Sequence, residues 1–166
     1  MNDKNHKIGE FSLRKIFAVL LLLTFLPLSA CSSDVPSTDL SQVAFDGITV
    51  GDPLELLETD RYTVKENVSD RYTYNFEECR VSEKNGIITE LMATFGAMTV
   101  SINGTEDCHT VDDIIGVLGE NYHSSWYDRE QSLMQIQYSD REHRLECAFV
   151  YNKNSNSLVW AIMKNS

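Results

Sequence analysis

The sequence predicts an α+β fold of two tandem repeats, each a short helix followed by a three-stranded meander. We expect one antiparallel sheet with the short helices packed on one face. Three observations support this: dipeptides recur about 70 residues apart, each half opens with a helix signal, and alternating apolar segments follow. A half of about 60 residues buries little surface alone, so we expect both halves to share one core.

Asp-Arg dipeptides mark the repeat. Four of the six arginines beyond residue 30 directly follow an aspartate, at 60–61, 70–71, 128–129 and 140–141. The first dipeptide maps onto the third at an offset of 68, the second onto the fourth at 70, and Glu78-Cys79 onto Glu146-Cys147 at 68. This spacing indicates an internal repeat with halves at about 45–96 and 97–166.

Helix and strand signals occur in the same order in both halves. Asp52 as N-cap and Pro53 at the first helical position predict a helix after a strand at 45–50. In the second half, a strand at 98–102 precedes a helix that Thr110 caps and Gly119 ends. Three alternating segments after each helix predict strands, at about 62–68, 72–82 and 87–95, and at 132–138, 144–151 and 158–163.

The first 30 residues have the organisation of a signal peptide. Four basic residues precede an apolar run at 16–26, which is shorter than the roughly 20 residues of a membrane-spanning helix. Leu28-Ser29-Ala30-Cys31 then resembles the lipobox of bacterial lipoproteins. That resemblance implies a diacylglyceryl group on the Cys31 thiol and cleavage just before it; an ordinary secretory signal with an incidental cysteine is the alternative. Two acyl chains would hold the protein firmly on a membrane.

Net charge restricts the partners. The chain carries 14 Lys+Arg against 25 Asp+Glu, and removal of residues 1–30 leaves 10 against 23, a formal charge of −13. Such a chain is unsuited to nucleic acid, which requires a basic surface, and is repelled by anionic headgroups. We expect a lipid-anchored protein outside the cytoplasm, on the cell membrane or outer membrane. A polar tether at 31–44 would lead to a single domain at 45–166.

The opening of the first half resembles a known group of domains. Residues 47–54 read Gly-Ile-Thr-Val-Gly-Asp-Pro-Leu, whereas residues 100–105 in the second half lack the Gly-Asp-Pro that precedes the helix. The first segment resembles small secreted αβββ repeats, as in beta-lactamase-inhibitory-protein-like domains and lipoproteins related to outer-membrane assembly factors. The resemblance implies a binder or assembly scaffold rather than an enzyme.

Three cysteines follow Cys31. Cys79 and Cys147 occupy equivalent repeat positions, so a disulfide between them could join the two halves outside the cytoplasm. Two buried thiols are the favoured alternative. Cys108 precedes the second helix in a predicted loop and is the candidate for a reactive thiol.

The sequence gives little support to catalysis. His109, His123 and His143 lack the paired spacings of zinc sites, and no nucleophile, phosphate-loop or dinucleotide motif occurs. We therefore expect no catalytic residue, no metal and no cofactor. A small envelope hydrolase, metal-dependent or not, and a purely structural envelope lipoprotein remain the alternatives.

An aromatic segment after the second helix is the candidate binding site. It forms most of an insertion of about eight residues relative to the first half, and insertions in repeats often lie on the binding face. Large aromatic side chains also anchor many protein interfaces. We expect Tyr122, His123, Trp126 and Tyr127 to contact an envelope or secreted protein partner from a loop at 121–128. The alternative is that these aromatic residues fold back over the end of the sheet.

Overall fold

The computed structural model of the protein describes residues 36–66 and 71–166. The predicted signal peptide at 1–30 and the predicted lipidation site Cys31 lie outside these residues. Within them, none of the helices has the length and apolar character needed to cross a membrane.

Nine strands, one α-helix and two short 3-10 helices make up the regular structure of the described chain. The strands are β1 Val43–Phe45, β2 Tyr74–Asn75, β3 Cys79–Lys84, β4 Ile87–Thr94, β5 Val100–Ile102, β6 His123–Asp128, β7 Leu133–Asp140, β8 Leu145–Asn152 and β9 Leu158–Asn165. The α-helix α1 is Val111–Leu118, and the 3-10 helices are Leu54–Leu56 and Thr59–Arg61. Seven strands form one antiparallel sheet in the spatial order β2-β3-β4-β9-β8-β7-β6, while β1 pairs with β5 separately.

The prediction of an α+β fold with helices packed on the sheet is wrong, because the described chain is mostly β-structure. The helix predicted after Pro53 is a single 3-10 turn, Leu54–Leu56. Leu57 is buried there, but Leu56 is 56% exposed. Without a continuous apolar stripe, so short a helix has too little burial to offset its nucleation cost.

The helix of the second half is confirmed. Asp113 N–H donates to Thr110 Oγ1 at 3.3 Å, and Thr110 N–H donates to the Asp113 carboxylate at 2.8 Å, which forms a capping box. Gly119 ends the helix with a φ of 83°, a left-handed conformation that glycine adopts without strain. Val111, Ile114 and Leu118 are buried on one face.

Strand predictions succeed best in the second half. The strands predicted at 132–138, 144–151 and 158–163 correspond to β7, β8 and β9, and the strand at 87–95 corresponds to β4. The strand predicted at 72–82 is divided into β2 and β3, and no strand occurs in the described residues 62–66. The strand predicted at 45–50 ends at Phe45, because the chain turns at Asp46 and Gly47 with positive φ.

The two halves share a pattern of backbone hydrogen bonds. Several bonds of the first half have a counterpart in the second half, where residues up to 54 are shifted by 57 positions and residues 86–88 by 70 positions. Four pairs of bonds match, each written from the N–H donor to the carbonyl acceptor. They are Phe45→Ile48 with Ile102→Thr105, Asp46→Thr99 with Asn103→Gln42, Ile88→Asp52 with Leu158→His109, and Leu54→Gly86 with Val111→Asn156. By these bonds residues 47–54 correspond to 104–111, rather than to 100–105. Ala44 pairs with Ser101 and Met92 with Ile162, so each residue pairs with its own equivalent across a local two-fold axis.

The folded domain begins before residue 45. Thr38 N–H donates to Ser139 O at 3.0 Å, and Leu40 N–H donates to Asp140 Oδ2 at 2.8 Å. Leu40 and Val43 are fully buried. The predicted tether at 31–44 is therefore too long at its C-terminal end, since Leu40 and Val43 belong to the core.

The seven-stranded sheet has one buried face and one outer face. Alternate residues such as Val81, Leu91, Ile136 and Phe149 are buried in a core shared with β1, β5 and α1. The residues between them point to the opposite side, which we call the outer face. On β4, β9, β8 and β7 the outer face carries these residues: Glu90, Met92, Lys164, Ile162, Trp160, Glu146, Ala148, Val150, Gln137 and Gln135.

Candidate binding site

The segment predicted as a binding loop is the edge strand β6. It pairs only with β7 in the described residues, from His123 opposite Gln137 to Asp128 opposite Leu133. A β-bulge lies between Trp126 and Asp128. The bulge inserts Tyr127 as an extra residue and changes the direction of its side chain.

The four predicted binding residues do not form one cluster. Tyr122 is half-buried, and its ring lies 5.7 Å from that of the buried Tyr138. Trp126 and Tyr127 project to opposite sides of the sheet, and His123 is exposed at its edge. The predicted loop conformation is thus wrong, and the aromatic residues divide between core packing and two separate surfaces.

Trp126 lies beside two cations. Lys153 Nζ is 4.8 Å and the Arg129 guanidinium is 5.8 Å from the centre of its ring. Contacts of this kind contribute roughly 0.5–1 kcal/mol at exposed sites. They hold Trp126 against the turns that follow β6 and β8.

Tyr127 extends over the outer face. Its ring centre is 5.5 Å from that of Trp160 on β9, and its side chain is 40% exposed. Val150 pairs with Trp160 on the outer face and yet is fully buried. The aromatic pair therefore covers part of this face, and Tyr127 forms one wall of a groove.

The groove has a cavity volume of about 170 Å³. It is lined by Arg71, Glu90, Tyr127, Gln135, Gln137, Glu146, Ala148, Ile162 and Lys164. Five strands and the segment of Arg71 meet here, because the antiparallel register places Lys164 opposite both Glu90 and Glu146. Of these lining residues, the sequence predicted only Tyr127 as part of a binding site. The alternation of polar residues along β7, β8 and β9 is the pattern from which others could have been predicted.

Each carboxylate in the groove has a cationic partner. Arg71 Nη2 lies 3.0 Å from Glu90 Oε1, and Lys164 Nζ lies 3.1 Å from Glu146 Oε2. Gln137 Nε2 also donates to Glu146 Oε2 at 3.1 Å. The two acidic and two basic groups leave the groove without a net formal charge.

Tyr72 contacts Glu90, one of the residues that line the groove. It is buried over the outer face, where its hydroxyl donates to Glu90 Oε1 at 3.2 Å and lies 3.8 Å from Met92 Sδ. Burial and then the neighbouring Glu90 charge raise the pKa of Tyr72 to about 12. The hydroxyl is therefore a neutral donor that positions Glu90.

The cysteines are free thiols in the described chain, and the disulfide between Cys79 and Cys147 does not form. Two strands, β4 and β9, separate β3 from β8, so the two residues are at least about 14 Å apart. A disulfide requires Cα atoms within about 7 Å. Burial raises the pKa of Cys79 to about 12 and that of Cys147 further still.

The burial of Cys108 argues against the reactive thiol that its predicted loop position suggested. It is 2% exposed, beside a cavity of about 470 Å³ at the end of β5. Burial, with the charges of Asp113 and Asp107, raises its pKa. The thiol therefore stays protonated and is a poor nucleophile.

One group of potential metal ligands occurs in the described residues, formed by Asp39, Asp140 and His143. The Asp140 carboxylate already accepts hydrogen bonds from the N–H groups of Leu40, Glu142 and His143 and contacts His143 Nδ1 at 2.8 Å. Its oxygens are thus committed to protein donors. The arrangement fastens the N-terminal residues to the turn after β7 rather than offering a vacant carboxylate to a metal.

Comparison with known proteins gives no match to a protein family, to a curated protein or to a solved structure.

Proposed function

We propose that this protein is a lipid-anchored lipoprotein that faces outside the cytoplasm and acts as a binding module without catalysis. Its anchor would be a diacylglyceryl group on Cys31, and its binding surface would be the outer face around the groove. The partner would be an envelope or secreted macromolecule.

The open outer face is the observation that carries the proposal. The other face of the sheet is buried under β1, β5 and α1, whereas Tyr127 and Trp160 remain partly accessible on the outer face. Aromatic side chains that are held by a rigid sheet and surrounded by polar groups are common anchors of interfaces. The groove gives such an interface a defined shape.

The contacts of Ser37 with the domain suit a short tether. Five residues, 32–36, separate the predicted anchor Cys31 from Ser37, whose Oγ accepts a hydrogen bond from Arg141 N–H. The six Cα-to-Cα steps from residue 31 to residue 37 reach at most about 20 Å. The domain would therefore stay close to the membrane while its acidic surface keeps it off anionic headgroups.

The chemistry of the described groups favours binding over catalysis. The thiols of Cys79, Cys108 and Cys147 have raised pKa values. The groove carboxylates, Glu90 and Glu146, are held in ion pairs. A general acid or a nucleophile requires a group that can change its protonation or its partners during the reaction.

The lipid anchor is tested by metabolic labelling with an alkyne analogue of palmitate and by detergent phase partition. We expect the unmodified chain to incorporate the label and to enter the detergent phase, because the thiol of Cys31 carries the lipid. Cys31→Ser should lose both properties, while the neighbouring change Ser33→Ala should keep them. Label that persists in Cys31→Ser would contradict the anchor.

The binding surface is tested by photo-cross-linking in intact cells. A benzoylphenylalanine placed at Tyr127 or Gln137 should form adducts with a macromolecular partner, because both positions line the groove. The matched control is Leu56, which is more exposed but lies outside the groove. Adducts of equal yield and identity from Leu56, or none from either groove position, would contradict a binding role for the outer face.

A further inference from the structure

We propose that the groove of the outer face binds one neutral sugar ring of a glycan. This inference rests on the proposed binding function and specifies the chemistry of the ligand. It is carried by the size of the groove, the balance of its charges, its remaining hydrogen-bonding capacity and its aromatic wall.

The size of the groove indicates a single small unit of a larger ligand. Its volume of about 170 Å³ is well below the roughly 300–1,000 Å³ of pockets that enclose a whole small molecule. The groove also lies on the face of the sheet rather than at its edge. A polypeptide that adds a strand would instead use the backbone of an edge strand such as β6.

The charges of the groove favour a neutral ligand. Glu90 and Glu146 are 18% and 26% exposed, and each is paired with a cation within 3.1 Å. A charged ligand would have to compete with one of these pairs and leave the displaced charge poorly solvated. A neutral polar ligand can bind without breaking either pair.

The polar groups around the groove retain capacity to both accept and donate hydrogen bonds. Gln135 and Gln137 use their Nε2 atoms for contacts within the protein, to Ser125 and Glu146. Within the described residues, no hydrogen bond occupies the following oxygens: Gln135 Oε1, Gln137 Oε1, Glu90 Oε2, Glu146 Oε1 and Tyr127 Oη. Arg71, Lys164 and Tyr127 supply donors. Sugar hydroxyls, each a donor and an acceptor, match this mixture better than a group that only donates or only accepts.

The apolar part of the groove suits the C–H face of a sugar ring. Ala148 and Ile162 form its floor, and Tyr127, steadied by Trp160, forms its wall. The π-face of an aromatic ring is electronegative and attracts weakly polarised C–H groups. A sugar ring has such C–H groups on its faces and hydroxyls around its rim, which is the distribution that the groove presents.

The proposal is tested with the purified lipidated chain in a detergent that contains no sugar. The probes are glucose, galactose, N-acetylglucosamine and their β-linked disaccharides, with glucuronic acid and glucosamine as charged controls. Saturation-transfer NMR detects binding, and isothermal titration gives the dissociation constant. We expect at least one neutral sugar to bind and the two charged sugars to bind more weakly.

Three variants locate the binding. Tyr127→Ala and Gln137→Leu should each weaken the dissociation constant about tenfold, a loss of about 1.4 kcal/mol. The matched control Trp126→Ala, on the other side of β6, should bind sugar as the unmodified chain does. Unchanged melting temperatures show that the groove variants remain folded.

Several results would overturn the sugar proposal. These are no saturation transfer to any neutral sugar at millimolar concentration, preference for a charged sugar, or an equal loss in Trp126→Ala. If sugars fail to bind while groove positions still cross-link specifically to a protein, the binding function stands and the ligand class is wrong. If neither sugar nor partner is bound, both proposals fail.

Discussion

Asp140 shows how this protein holds an almost fully buried carboxylate. The side chain is 2% exposed, and three backbone N–H groups and the His143 ring surround its two oxygens. Burial acts to raise the pKa of Asp140, but the hydrogen bonds from Leu40 and His143 and the histidine charge outweigh it, so the pKa lies below its usual value. The carboxylate therefore stays ionised and joins the N-terminal residues to the turn after β7.

His143 should make the stability of the domain depend on pH. Its hydrogen bond to Asp140 raises its pKa, burial opposes the shift, and the charges of Asp140, Glu142 and Asp39 add to it. A raised pKa in the folded state stabilises the protein fully below the unfolded value of about 6.5, and this contribution is lost as pH rises through the folded value. Urea unfolding should thus show a free energy that declines above about pH 6.5.

The control for this pH dependence is His143→Gln, which cannot acquire a charge. Its free energy of unfolding should be lower than that of the unmodified chain at pH 6, and the difference should narrow toward pH 9. His109, which is exposed and away from Asp140, provides the matched variant His109→Gln. A parallel decline in His143→Gln and the unmodified chain would exclude His143 as the group responsible.

At the scale of elements, sequence patterns predict those parts whose signals are local and complete. Thr110, Asp113 and Gly119 specify both ends of α1, and the apolar stripe between them supplies its buried face. The Asn85-Gly86 turn is equally local, because both residues adopt the positive φ that a two-residue hairpin requires. These elements need no information from the rest of the chain.

Other elements depend on distant neighbours and could not be predicted in this way. The residues after Pro53 begin like a helix but lack a stripe long enough to be buried. Residues His123–Asp128 contain two serines and little alternation, yet they form β6 because β7 provides an adjacent strand. Tertiary pairing decides both cases against the local preference.

Most of the groove could not be predicted from local sequence either, because strand pairing brings its residues together. Glu90, Glu146 and Lys164 come together only through the register of β4 against β9 and of β8 against β9. A shift by one residue would move all three to the buried face. Tyr127 could be proposed from its residue type, but its direction depends on a bulge that the sequence does not mark.

The whole domain has one core, to which both halves contribute. Buried residues from Leu40 to Met163 form a single cluster, and the pairings of β1 with β5 and of β4 with β9 connect the halves. Such an arrangement makes separation of the halves costly, because each would expose its side of the core. Leu40, which precedes the predicted start of the first half at residue 45, also belongs to this core.

Removal of these N-terminal residues should destabilise the entire molecule. A chain that begins at Val43 loses the fully buried Leu40 and withdraws the Leu40 N–H from the Asp140 carboxylate, unlike a chain that begins at Pro36. Burial of a leucine contributes about 1.5–3 kcal/mol, and a hydrogen bond to a charged group contributes about 1.5–3 kcal/mol more. We therefore expect the free energy of unfolding in urea to fall by roughly 3 kcal/mol or more.

The point variant Leu40→Ala measures the side-chain part of this loss, and its exposed neighbour Ser41→Ala is the control. Leu40→Ala should account for about 2–5 kcal/mol, whereas Ser41→Ala at an exposed position should change the free energy of unfolding by less than about 0.5 kcal/mol. Equal stability of the chains that begin at Pro36 and Val43 would mean that residues 36–42 are part of the tether after all. A large loss would place the beginning of the domain within residues 36–42, because a flexible linker contributes nothing to the free energy of unfolding of the domain that it carries.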